Sequence, residues 1–435
     1  MYLKPIAISF ALAQTANIFA EAAEYWQNFN SSVNPLNITI PDITQTSSYD
    51  QTTECTYYQP ETFTMVASEW PNIWETATSN GMNETQEFKT LYNSLDWSSA
   101  PNISVRTMNA DQSLNFNGYD ESADPDCWWS ASTCTQPKHP NINADISACP
   151  EPETWGLTYD DGPNCSHNAF YDFLQQEKLH ATMFYIGSNV VDWPYGAMRG
   201  LKDGHHIADH TWSHQLMTTL TNEEVLAELY YTQKAIKMVT GVTPRYWRPA
   251  FGDVDDRVRW IASQLNLTTV LWNLDTNDWA AGTSETVQQV QAAYDDYIEM
   301  GSNGTFANSG NIVLTHEIDN TTMQLAVQNL PNITSHYKYV LDVATCMNIT
   351  YPYMETEIAF EPFIDAIKNN QTGDLPASSV VGSSTGGAVT ATGAAASQAT
   401  VGSSGSGTSS AAAPARISMG QLAAAGFVAA AATFF

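Results

Sequence analysis

From residue 154 onward the apolar residues fall into short runs, separated by longer stretches in which they recur at helical spacing. The runs at 155–159, 181–186, 206–209, 246–247, 269–274 and 312–314 predict buried strands, and the amphipathic stretches between them predict helices. Thr221-Asn222-Glu223-Glu224 is a capping box that opens a helix running towards Val239, and Gly241 closes it. Strand and helix alternate over roughly two hundred residues, which predicts a parallel α/β sheet, closed or nearly closed into a distorted (β/α) barrel. Chemistry in such a fold belongs at the C-terminal ends of the strands.

Outside that region the pattern changes. Residues 21–148 form an N-terminal extension rich in aromatic residues, Asn, Ser and Thr, without clean periodicity and with no function legible in it. Within it, Cys127-Trp128-Trp129 reads either as core or as a platform on which a sugar ring stacks. Residues 1–20 read as a secretory signal: Lys4 gives the positive start, 6–13 the apolar stretch, and Ala13, Ala16 and Ala20 are small residues at candidate cleavage sites. Residues 149–368 hold the strand and helix pattern, and 369–415 are a Ser/Gly/Ala-rich linker. Residues 416–435, with Arg416 and the apolar stretch 417–435, read as the removable tail of a GPI-attachment signal, with small residues at 402–412 as the attachment region.

The composition agrees with export. Asn-X-Ser/Thr acceptors stand at Asn30, Asn37, Asn83, Asn102, Asn164, Asn266, Asn303, Asn320, Asn332, Asn348 and Asn370. Six cysteines form an even set without a Cys-X-X-Cys pair, so disulfides in an oxidising compartment are expected rather than thiolate ligands. A formal charge of -30 with so few Lys and Arg argues against nucleic acid and anionic membrane surfaces as partners, leaving the lipid anchor as the expected membrane link.

The candidate chemistry lies just past the strands. Asp160 and Asp161 end the first run, inside Thr158-Tyr159-Asp160-Asp161-Gly162-Pro163, and His210 and His214 flank Thr211-Trp212-Ser213. By itself the first segment also reads as a turn, and either histidine as a structural one. Together they offer a carboxylate and two imidazoles for a metal, with a second carboxylate to act as base. The same ligand types also allow an iron-dependent oxygenase triad, which leaves Asp160 and a later His316 without a task. Glycan binding without turnover is a third reading.

These segments, followed by Arg248-Pro249-Ala250-Phe251-Gly252, Asp275-Thr276-Asn277-Asp278-Trp279 and Leu314-Thr315-His316, resemble in order and spacing the motifs of the polysaccharide deacetylase family. With both terminal signals, the chain resembles the GPI-anchored chitin deacetylases of fungal cell walls. The resemblance implies that Asp161, His210 and His214 hold Zn2+, with Co2+ as a substitute, and that Asp160 is the general base, oriented by Arg248. It implies that the backbone N–H of Phe251 stabilises an oxyanion and that His316, supported by Asp278, is the general acid. Trp279 and Leu314 would enclose the acetyl methyl group, with ordinary core packing as their other reading; Asp275 is the other candidate for supporting His316. The implied reaction removes N-acetyl groups from chitin or chitooligosaccharides at the cell surface, with another acetylated glycan as the alternative substrate. Tyr159 stands where the family commonly has Phe, and Phe251 where it has Tyr. Cys149 and Cys346 resemble a pair that ties the first and last barrel strands, and Cys127 with Cys134 is a second candidate pair. His139, His167, His180, His205, His206 and His336 match no motif and read as structural or surface residues.

Overall fold

The computed structural model describes residues 29, 31–40, 51–55 and 66–368. The signal segment, the linker and tail, Asn30 and Asn370 lie outside the described residues.

Among the described residues nine strands build the barrel: β1 (Thr154–Gly156), β2 (Thr158–Gly162), β3 (Thr182–Tyr185), β4 (His206–Asp209), β5 (Tyr246–Trp247), β6 (Thr268–Thr269), β7 (Leu274–Asp275), β8 (Asn311–Leu314) and β9 (Tyr339–Leu341). They form a five-stranded sheet in the order β2-β3-β4-β5-β6 and a four-stranded sheet in the order β7-β8-β1-β9. Every strand pairing is parallel. A parallel bridge between Asp160 and His316 joins β2 to β8, so the two sheets curve into one distorted barrel.

Two runs predicted as single strands are each divided. The first breaks at Leu157, whose N–H donates to Leu341 O in one sheet while its carbonyl accepts from Thr182 N in the other. The run at 269–274 divides between β6 and β7. Its middle is pinned elsewhere, with Leu271 N donating to Ile146 O and Asn273 N to Ile312 O. Strand β9 was not predicted, because three residues directly after a helix carry too little alternation to stand out.

Helices fill the connections: α1 (Asn168–Gln176), α2 (Gly187–Asp192), α3 (Pro194–Lys202), α4 (Asn222–Thr240), α5 (Asp256–Gln264), α6 (Val287–Met300) and α7 (Asn320–His336). The capping box of α4 forms as predicted, with Thr221 and Glu224 bonding reciprocally, and Gly241 takes the left-handed conformation at φ 82° that ends the helix. Its buried face includes Val225, Leu226, Leu229 and Ile236, and also the carboxylate of Glu228.

The extension packs onto this body. Trp70, Phe88 and Leu91 share one apolar core with Tyr230 and Trp212, and Asp145 forms a buried ion pair with Arg259 at 2.7 Å. Trp128 is fully buried and Trp129 nearly so, which makes this cluster core and rules out a surface sugar platform there. Three disulfides are present: Cys149 with Cys346, Cys127 with Cys134, and Cys55 with Cys165. The last ties the extension to the loop after β2.

Candidate active site

Because all strands run the same way, the residues that follow them meet at one end of the barrel. Asp160 and Asp161 end β2, His210 follows β4, Arg248 follows β5, Asp278 follows β7 and His316 follows β8.

Adjacent strand residues ordinarily point to opposite faces. The register of β2 slips between Asp160 and Gly162, and Asp161 lies in the left-handed region at φ 75°. This distortion lets both carboxylates reach the same histidine: His210 Nε2 lies 3.6 Å from Asp160 Oδ2 and 3.3 Å from Asp161 Oδ1. His214 Nε2 is also 3.3 Å from Asp161 Oδ1. The loop between the histidines is turned by Thr211 and His214, both at positive φ, and Asp209 Oδ1 accepts Thr211 N at 2.9 Å.

Arg248 is fully buried beneath the site. Its Nη1 donates to Asp160 Oδ1 at 2.7 Å and to Thr158 Oγ1 at 2.9 Å, and its guanidinium lies over the Phe184 ring at 4.1 Å. Burial lowers its pKa and the Asp160 charge partly offsets that. On the other side, Asp278 Oδ1 is 2.6 Å from His316 Nδ1, and its Oδ2 accepts His316 N at 2.8 Å. Burial alone would depress His316, but the Asp278 carboxylate beside it, with Asp161 and Asp160, raises its pKa to about 10. Asp278, rather than Asp275, is the partner of His316.

Phe251 sits at the apex of a turn at φ 56°, half exposed, with its ring 4.5 Å from that of His214. The turn bonds run from Gly252 N to Pro249 O and from Asp253 N to Ala250 O, so the N–H of Phe251 stays outside them. Trp129 and Trp272 pack under this turn, where a Cβ on Gly252 would strike both rings. Leu314 is buried at the end of β8, and Trp279 is half-buried in the turn that carries Asp278.

The donor set fits a divalent cation. The ligand atoms of Asp161, His210 and His214 lie within 4.8 Å of one another. His210 Nδ1 is 2.7 Å from Arg248 O, a carbonyl that can only accept, so Nδ1 carries a proton, and the neutral ring then turns a lone pair on Nε2 towards the Asp161 carboxylate. Two acceptors aimed at each other repel unless positive charge lies between them. In the ion-free geometry burial is overcome at His210, whose pKa is raised by Asp160 and Asp161, whereas burial takes His214 down to about 4. Burial would raise Asp161, but the two imidazoles hold it well below the usual carboxylate range.

Several supporting residues have no motif of their own. Glu228 accepts from Trp212 N at 2.9 Å and Ser213 N at 2.8 Å, and so holds the loop that carries both histidines. Glu317, fully buried, is 2.7 Å from His167 Nδ1 and fills the space over Gly162. His167 is thus a buried neighbour of Glu317 behind the site. The one sequence signal for Glu228 is a charge embedded in the apolar face of α4; for Glu317 it is its place directly after His316.

A carboxylate pair facing two imidazoles, opposed by a His–Asp pair at one end of a parallel barrel, is an arrangement able to carry out metal-assisted hydrolysis. The family model described as Polysaccharide deacetylase matches residues 147–270. A chitin deacetylase of Amylomyces rouxii is 68% identical over 359 residues, covering 82% of this chain and 85% of that relative. Chitin deacetylase 2 of Cryptococcus neoformans var. grubii is 48% identical over 330 residues, covering 74% of this chain and 72% of that relative. Among solved structures, the chitin deacetylase from Colletotrichum lindemuthianum aligns at a TM-score of 0.44 and 24% identity, covering 47% of this chain and 92% of that chain. The chain belongs to the polysaccharide deacetylase family.

Proposed function

We propose that this protein hydrolyses the N-acetyl groups of chitin, releasing acetate and leaving chitosan. The observation that carries the proposal is the convergence of Asp161, His210 and His214 between a carboxylate clamped by Arg248 and an imidazole clamped by Asp278. Identity of 68% to a chitin deacetylase, across most of both chains, supports the choice of substrate.

Asp161, His210 and His214 would hold Zn2+, or Co2+ in its place; such an ion polarises the amide carbonyl and makes a water more acidic. Asp160, kept close to Arg248 at 2.7 Å, accepts a proton from the attacking water. The free N–H of Phe251 donates to the oxygen that gains negative charge as the carbonyl carbon becomes tetrahedral. His316, protonated through Asp278, gives its proton to the sugar nitrogen, since an amine leaves only when it is protonated. Trp279 and Leu314 supply an apolar wall for the acetyl methyl group. An oxygenase reading leaves Asp160 and the His316–Asp278 pair idle.

Export, a GPI anchor and a cell-wall location are part of the same proposal, supported by the two terminal signals and the disulfides. Among the described residues no helix is long and apolar enough to cross a membrane. Asn37, Asn102, Asn303, Asn332 and Asn348 are exposed and suit glycosylation. Purified protein incubated with chitin oligomers should release one acetate per amine freed. A chelator should abolish that release and Zn2+ or Co2+ restore it; full activity after exhaustive chelation would remove the metal from the mechanism.

A further inference from the structure

A groove of about 450 Å³ opens beside the histidine loop. Its lining includes Trp74, Glu75, Thr76 and Thr78 from the N-terminal extension, with Gln215 and Glu224 from the barrel. Gln215 directly follows His214, so one wall of the groove belongs to the segment that carries the histidines.

Trp74 is 39% exposed, a large apolar face left towards solvent. Its place is set by contacts shared with the histidine loop. Trp74 N donates to Ser188 Oγ at 3.0 Å, and Ser188 Oγ donates to Trp212 O at 2.7 Å. Trp212 Nε1 donates to Asn72 O at 3.0 Å, and its ring stacks on Trp70 at 6.0 Å. Glu228 bonds Ala77 N at 2.9 Å through Oε1 while its Oε2 bonds Trp212 and Ser213. The extension and the histidine loop therefore hang from the same buried groups, and Trp74 cannot drift relative to His214 without breaking them.

We propose that this groove is a sugar subsite for the same polysaccharide chain that reacts at the metal centre. Trp74 stacks on the apolar face of a pyranose ring, and Glu75, Glu224 and Gln215 bond its hydroxyl and acetamido groups. Glu75 and Glu224 each commit Oε2 to a local bond, to Asn72 and Thr221 respectively, which aims the carboxylates. Charged acceptors around an aromatic platform suit a hydroxyl-rich ligand, and a polymer supplies binding energy remote from the reacting amide. The proposal rests on the deacetylase reading and gives the extension its task.

The test uses the full chain with its metal and reads kcat/KM for acetate release from a chitin dimer and a chitin hexamer. In Trp74→Ala the hexamer-to-dimer ratio should fall about five- to tenfold, and in Trp74→Phe it should stay near the wild-type ratio. An unchanged ratio, or equal loss on both substrates, overturns the subsite. Should Trp74→Ala not fold, Trp74→Leu replaces it, filling the space without an aromatic face. Tryptophan fluorescence separates the two proposals: the hexamer should change it in the wild type and much less in Trp74→Phe. A wild type that releases no acetate while keeping that difference removes the deacetylase reading and leaves the groove.

Discussion

Asp160 carries no ligand role in the proposed mechanism, yet it is almost fully buried and held by the Arg248 guanidinium. Asp160→Asn should preserve a hydrogen bond from Arg248 and remove the base. Acetate release should fall by about 10²- to 10⁴-fold, with the far-ultraviolet dichroism unchanged. His316 is tuned by Asp278, and the sign follows from the direction of the shift. Its protonated form lasts through neutral pH and declines only as pH rises towards about 10. In Asp278→Asn, burial, which lowers the pKa, loses its main opponent, so the alkaline limb of the kcat profile should move down by more than one pH unit. An unmoved limb would contradict the role given to the pair. At this scale the reacting groups were legible because each stands in a short motif just past a strand. Glu228 and Glu317 were not, because their partners are backbone N–H groups and a histidine brought near only by folding.

The elements explain how short motifs acquire direction. Strand β2 is regular up to Asp160, then slips register and turns left-handed at Asp161, which no apolar alternation records. Gly162 follows because Glu317 occupies the space where a Cβ would stand. Gly162→Ala should therefore cost about 1–3 kcal/mol through overpacking, read as a fall in the denaturation midpoint, together with loss of acetate release as Asp161 shifts. The capping box and glycine stop of α4 were readable since both are local devices, satisfied within one turn of chain. The divisions at Leu157 and within 269–274 were not, since each arises where a backbone group is claimed by a different sheet.

Across the whole molecule, the joining of the two sheets is the decisive event. The Asp160 to His316 bridge brings the proposed base and acid onto neighbouring strands although they lie far apart in the chain. The disulfide of Cys149 with Cys346 spans 197 positions and fastens the segments flanking β1 and β9. Replacing both cysteines by Ser should lower stability by about 2–5 kcal/mol, measured by denaturant unfolding, with kcat unchanged at temperatures where the protein stays folded. The extension joins the same core, so Trp74 and the histidine loop respond together to changes at Glu228.

Taken alone, the sequence determined the alternation of strand and helix, the α4 boundaries, the acidic charge and the reacting residue types, because these follow from local spacing and composition. Only the tertiary structure decided which aspartate supports His316, where the Trp128-Trp129 cluster lies, how Cys55 pairs, and that the extension borders the site. Those outcomes depend on contacts between distant segments, and the free energy of such contacts exists only once the parallel strands have gathered their ends at one face of the barrel.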